Sequence, residues 1–139
     1  SNWCGVVNPC AHKVIELRHH LGADDVMLLC DVQVKHSSML LPQVSIEESA
    51  ANAEAAGADA IIVTGTTTGE ETPIDMIRRV KSVVDLPVLA GSGISPTDVV
   101  EQFKVADGAI VGSTFKKGGL TTNPVDYDLV RTLMRPLGR

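Results

Sequence analysis

Four apolar runs, with helix-opening signals between them and no hairpin turn anywhere, constrain this chain more than any other feature. The runs are VMLLCDVQV (26–34), AIIVTG (60–65), Leu86 to Ala90, and GAIVGS (108–113). Near-continuous apolar stretches of this kind are typical of parallel strands covered on both faces. Between the first two lies a capping box, Ser45-Ile46-Glu47-Glu48, leading an alanine-rich helix that runs to Gly57. Thr72-Pro73 with Asp75 opens a third helix ending near Val84, Ser95-Pro96-Thr97-Asp98 a fourth, and Asn123-Pro124 a last one stopped before Pro136. Ahead of all of them, Asn8-Pro9 opens a helix stopped by Gly22, on which Val14, Ile15 and Leu21 can share a face. The order is one helix and then four strand-helix units, an α/β class whose strands are parallel and joined by right-handed crossovers. Two architectures fit: an open doubly wound sheet of four strands, or a segment of a (β/α)8 barrel. A full barrel needs about 250 residues. Residues 1–139, read as a single domain, come close to half of one.

Charge and composition narrow the function. The net charge is -5, aromatic residues make up 3%, and Lys and Arg are scattered, so no stripe or stacking platform invites a nucleic acid. No apolar run reaches the roughly 18 residues of a membrane span, and no charged leader followed by an apolar core opens the chain, so a cytoplasmic compartment is expected. The three cysteines, Cys4, Cys10 and Cys30, form no CxxC pair. His12, His19 and His20 stand at spacings that match no standard zinc site, so reduced structural thiols are expected, with no metal and no cofactor.

The loops decide between the architectures. In phosphate-binding barrels the anion sits on the loops after strands seven and eight, where backbone N–H groups point at it and side chains would hold it away. Here Gly91-Ser92-Gly93 follows the third strand and Gly112-Ser113-Thr114 the fourth, with Lys116 and Lys117 beyond. The same glycines also suit tight strand-to-helix turns. Two Gly-Ser loops on consecutive strands favour phosphate binding.

Four loop motifs carry a family resemblance. DVQVKH (31–36), ADAIIVTGTTTG (58–69), PVLAGSGIS (87–95) and ADGAIVGSTFKKGG (106–119), followed by NPVD (123–126), resemble the BtpA/SgcQ family, in order and over nearly the whole chain. The resemblance implies a TIM-type barrel of the phosphate-binding group, with this chain covering its C-terminal half. The family contains one protein named for photosystem I assembly and another tied to sugar metabolism.

Strand alternation places Met27, Leu29, Asp31, Gln33 and Lys35 on one face of the first strand and Leu28, Cys30, Val32, Val34 and His36 on the other. In a barrel the polar face looks into the lumen, with Lys35 nearest the mouth. Lys35 can serve as a base or Schiff-base nucleophile, Asp31 as its partner, and His36 as an acid or base. An inert internal ion pair and a solvent-facing histidine are the alternatives. Thr64, Thr66, Thr67 and Thr68 can hold a phosphate or sugar hydroxyl, or merely cap a turn, and Lys116 joins Thr64 and Thr66 as a substrate contact. Glu70 and Glu71 are the nearest loop carboxylates. Asp107 precedes its strand and belongs to the opposite, stabilising face.

The expected function is therefore binding of a phosphorylated small metabolite, with acid–base chemistry on a sugar phosphate when the barrel is complete. The alternatives are a non-catalytic assembly factor of the photosystem I type and an inactive half-barrel remnant. A half barrel leaves its first and last strands as edges, so a homo-oligomer, a partner carrying the N-terminal half, or a longer protein of which this chain is a fragment is expected.

Overall fold

The computed structural model describes residues 10–34, 43–65 and 72–138. Its elements run α1 (Ala11–His20), β1 (Leu29–Val32), α2 (Ile46–Ala55), β2 (Ala60–Val63), α3 (Ile74–Lys81), β3 (Val88–Ala90), α4 (Val99–Gln102), β4 (Gly108–Ala109) and α5 (Tyr127–Met134). The strands form one four-stranded sheet in the order β1-β2-β3-β4, and every pair is parallel. The alternation of strand and helix thus yields the expected α/β architecture. Among the described residues no helix is long and apolar enough to cross a membrane.

Register assigns each residue to a face. Val32, Val63, Ala90 and Ala109 lie in one row across the sheet, and Asp31, Ile62, Leu89 and Gly108 in the next. The first row faces the helices. There Ile61, Val63, Val88 and Ala90 pack with Ala50 of α2, Ile77 and Val80 of α3, Val99 of α4 and Leu133 of α5, all buried. Burying each of the larger aliphatic side chains contributes about 2 kcal/mol. The opposite face, which carries Asp31, is exposed at the β1 edge and closed over β2, where all four residues are buried.

Several helix signals act as read. Ser45 accepts from the Glu48 amide, and Glu48 reaches back to the Ser45 amide, completing the capping box. Gly22 and Gly57 follow helices α1 and α2 in left-handed conformations, φ +63 and +93. Ser95 and Asp98 bond each other ahead of α4.

Others differ. Asn123-Pro124 does not open the last helix: Asp126 caps it, accepting from the Asp128 and Leu129 amides, while the Asn123 side chain donates to the Lys117 carbonyl. Thr72 caps nothing, because its hydroxyl is drawn inward to two carbonyls. The first strand is shorter than its apolar run, since Gln33 adopts φ +50 and breaks the alternation. Its side chain therefore turns to the helix side, donating to the Val44 carbonyl and Ser49 Oγ, rather than joining Asp31. On α1, Ile15 is half-buried but Val14 and Leu21 are exposed, so the shared apolar face is largely bare. Asn8 and Pro9, expected to open that helix, lie outside the described residues.

Two carboxylates pin the strand starts. Asp59 Oδ2, just ahead of β2, accepts the Leu28 amide at 2.7 Å and Arg18 of α1 at 2.9 Å. Asp107, just ahead of β4, accepts the Val88 amide at 2.8 Å and Lys81 of α3 at 2.6 Å. The helix-strand-helix-strand unit thus occurs twice in the chain, with Leu28 equivalent to Val88 and Asp59 to Asp107. Asp107 serves the stabilising end of the sheet, as its position ahead of the strand implies.

Both carboxyls are held below the usual range, Asp59 chiefly by the Leu28 amide and then Arg18, Asp107 chiefly by Lys81 and then the Val88 amide. A depressed folded-state pKa gives stability that is complete above the unfolded value and lost as pH falls through the folded one. The thermal midpoint is therefore expected to hold from neutrality down to about pH 4 and to fall below it. Asp107→Ala, which orphans the buried Val88 amide, is expected to cost about 1 kcal/mol in urea unfolding at pH 7 and to flatten the acid slope.

Candidate functional site

The C-terminal ends of the strands gather the polar groups. Because the strands are parallel, the residues that follow β1, β2, β3 and β4 emerge on one side of the sheet. Asp31 and the buried Thr64 share the sheet face opposite the helices there, with Thr64 Oγ1 donating to Asp31 Oδ1 at 3.4 Å. Gly91 lies beside them: a Cβ added to it would meet Thr64 Cγ2 at 2.4 Å and Ile62 Cγ2 at 2.7 Å. Glycine is therefore required at 91 by close packing, while Gly93 takes a left-handed φ of +69. Gly112 is different, since nothing lies within 4 Å of an added Cβ.

Three loops are stitched together around residues 92–94. The Gly65 amide donates to Ser92 Oγ at 3.2 Å, and the Thr72 hydroxyl donates to the Ser92 carbonyl at 3.1 Å. Gln102 of α4 in turn donates to the Thr72 carbonyl at 2.9 Å. From the β4 side, Thr114 Oγ1 donates to the Ile94 carbonyl at 2.7 Å. Thr72 and Gln102 are fully buried and Ser92 nearly so, which gives these bonds a low-dielectric setting.

Against this geometry the sequence-derived residues sort clearly. Asp31, Thr64, Gly91, Ser92 and Gly93 come together at the mouth, and Thr114 is tied to the same loop. Gly112 and Ser113 start the short 3-10 turn (Ser113–Phe115) that follows β4. The amides of Gly93, Gly112, Ser113 and Thr114 donate to no other described residue. Thr114 directs its hydroxyl proton at Ile94, so toward an anion it offers its amide. Lys116 turns its ammonium to the Thr121 carbonyl of its own loop, and its backbone bridges Val125. Lys117 is drawn to Asp126, 3.8 Å away. Lys35, His36, Thr66, Thr67, Thr68, Glu70 and Glu71 lie outside the described residues, as does Cys4.

Thr72 and Gln102 were not legible as site residues. A threonine before proline reads as a helix cap, and a glutamine late in a short helix reads as solvated surface. Only the fold carries them beneath the mouth.

Away from the mouth, Cys30 faces the helices with its thiol pKa pushed up, first by burial and then by Asp59, while Cys10 is exposed. Among the described residues no group of three His, Cys, Asp or Glu side chains stands close enough to hold a metal ion.

The repeat found at the strand starts extends to the mouth. Three residues on from Leu28 and Val88 stand Asp31 and Gly91, and five on from Asp59 and Asp107 stand Thr64 and Gly112. The first unit presents side chains where the second presents bare backbone.

Comparison with known proteins gives the chain its relatives. The family model described as the BtpA family matches residues 2–139. An uncharacterized protein of Pyrococcus furiosus is 36% identical over 132 residues, covering 94% of this chain and 49% of that protein. The putative sgc region protein SgcQ of Escherichia coli is 33% identical over 132 residues, again covering 94% and 49%. The chain thus spans about half the length of the curated relatives it matches. Among solved structures, N-acetylneuraminate lyase from Mycoplasma synoviae aligns with a TM-score of 0.55 at 15% identity, covering 92% of this chain and 42% of that one. Phosphoribosyl anthranilate isomerase from Thermus thermophilus aligns with a TM-score of 0.54 at 13% identity, covering 92% and 67%. These two likenesses bear on the fold alone, and place it among TIM-barrel and related α/β proteins.

The two glycine loops separate in their demands. Gly91→Ala forces its Cβ into Thr64 and Ile62 and is expected to destabilise by about 1–3 kcal/mol. Gly112→Ala meets open space and is expected to leave the urea midpoint nearly unmoved; equal losses at the two positions would contradict this packing.

Proposed function

The chain belongs to the BtpA family, and we propose that the mouth of its sheet binds a phosphorylated small metabolite. In this reading the phosphate sits on the loops after β3 and β4, against the amides of Ser92, Gly93, Gly112, Ser113 and Thr114. The Gly91 amide, expected to join them, is taken by the Val63 carbonyl at 2.7 Å. The observation that carries it is the bare, uncrowded backbone at Gly112, where the first unit carries Thr64. An anion approaching Gly112 meets no side chain, and four amides of these loops have no other donor duty among the described residues.

The rest of the metabolite then faces the first unit. Asp31 and Thr64 can accept and donate hydrogen bonds to its hydroxyls, and Asp31 can exchange a proton with it. Thr66, Lys116 and His36 are proposed as further contacts, and Lys35 as the base or Schiff-base nucleophile. The reaction class is acid–base chemistry on a sugar phosphate, of the aldose–ketose isomerisation kind, in the complete barrel. A homo-oligomer, or a partner bringing the other strands, is proposed to cover the β1 and β4 edges, where Leu29 and Ile110 are exposed.

Titration of inorganic phosphate and a panel of sugar phosphates into isotope-labelled protein is expected to move the amide signals of Gly93, Gly112 and Ser113. Gly112→Asp places a carboxylate in open space, so it is expected to keep the unfolding midpoint and lose the phosphate response. Amide signals that stay fixed in the unsubstituted chain would sink the reading. With a substrate in hand, Lys35→Met is expected to abolish turnover, and retained activity removes Lys35 from the chemistry.

A further inference from the structure

We propose that Thr72, buried beneath the mouth, is the positioning residue that aims the Gly93 amide at the phosphate, an inference that rests on the phosphate reading above. The argument is stereochemical. The Thr72 hydroxyl holds the Ser92 carbonyl from within the fold, at 3.1 Å, and Thr72 is wholly enclosed. The Ser92–Gly93 peptide is trans and planar, so its carbonyl and its N–H point to opposite sides. Holding the Ser92 oxygen inward therefore turns the Gly93 N–H outward, to the side where it meets no other described residue.

The neighbouring bonds make that orientation firm. Ser92 Oγ accepts the Gly65 amide, so the loop after β2 grips the same residue. Thr72 itself is fixed by Gln102 Nε2 on its carbonyl, and its hydroxyl also lies 3.3 Å from the Val63 carbonyl at the end of β2. On the next peptide but one, Thr114 holds the Ile94 carbonyl. Without the Thr72 hydroxyl the Ser92–Gly93 peptide is free to rotate about its flanking bonds, and glycine at 93 offers little resistance. Thr72 touches no substrate; it acts through the backbone of Ser92.

Thr72→Val keeps the shape and removes the hydroxyl, whereas Thr72→Ser keeps the hydroxyl. With inorganic phosphate as probe, Thr72→Val is expected to weaken binding about tenfold, the worth of one hydrogen bond to a charged group. The Gly93 signal should lose its response while Gly112 and Ser113 still move at higher phosphate. Thr72→Ser is expected to bind like the unsubstituted chain. Unchanged affinity and Gly93 response in Thr72→Val overturn the inference, as does equal weakening in both variants, which marks a packing effect. Absence of any response in the unsubstituted chain instead removes the phosphate reading, and the inference with it. Where Thr72→Val does not fold, hydrogen exchange of the unsubstituted chain decides. An outward Gly93 amide exchanges at an unprotected rate and slows with phosphate, and one protected without ligand overturns the proposal.

Discussion

A carboxylate on a backbone amide sets the register of this sheet, and the placing of every functional group follows from it. Parallel strands begin with an N–H that the ladder leaves without a partner, and two of the four starts here are satisfied by Asp59 and Asp107. Each carboxylate stands just ahead of the strand that follows in the chain, so it fixes one strand against its neighbour. A slip of one residue would exchange the two faces of β1, burying Asp31 among the helices and exposing Val32. Arg18 and Lys81 then join the preceding helices to the same pins. Between α2 and α3 a similar task falls to Glu47 and Arg79, whose two hydrogen bonds of 2.6 and 2.8 Å tie adjacent helices across the sheet.

The order of elements was legible because it depends on local chemistry. Apolar runs, the Ser45 and Glu48 box and the glycines after α1 and α2 act within a few residues of chain, and the fold follows them. What escaped was decided by contacts distant in sequence. Pro124 suits a first turn, yet Asn123 is recruited by the Lys117 carbonyl and the helix waits for Asp126. Gln33 continues an alternating pattern on paper, but the polar partners offered by Val44 and Ser49 draw its side chain to the other face. Thr72 shows the same cause most clearly, since its partners at Val63 and Ser92 lie 9 and 20 residues away. The two glycine loops look alike in sequence but differ in what surrounds them. Gly91 answers to the crowding of Thr64 and Ile62, whereas no neighbour crowds Gly112.

The repeated unit explains how one architecture offers two kinds of surface. Equivalent positions carry Asp31 and Gly91, or Thr64 and Gly112, so the geometry of the strand ends is reused while its chemistry is divided. The division is also mechanical: Thr64 fills the space that Gly91 vacates, and neither residue suits its site without the other.

Ser92 has a consequence for how the mouth can vary. It holds the Gly65 amide through its hydroxyl and the Thr72 hydroxyl through its carbonyl, and these two residues bracket the six positions 66–71. Both ends of that segment are thus fastened to a single residue, whatever lies between. Lengthening a segment whose ends are already held costs little, about 0.6 kcal/mol for each doubling of its length. Insertions between Gly65 and Thr72 are therefore expected to leave the sheet beneath undisturbed.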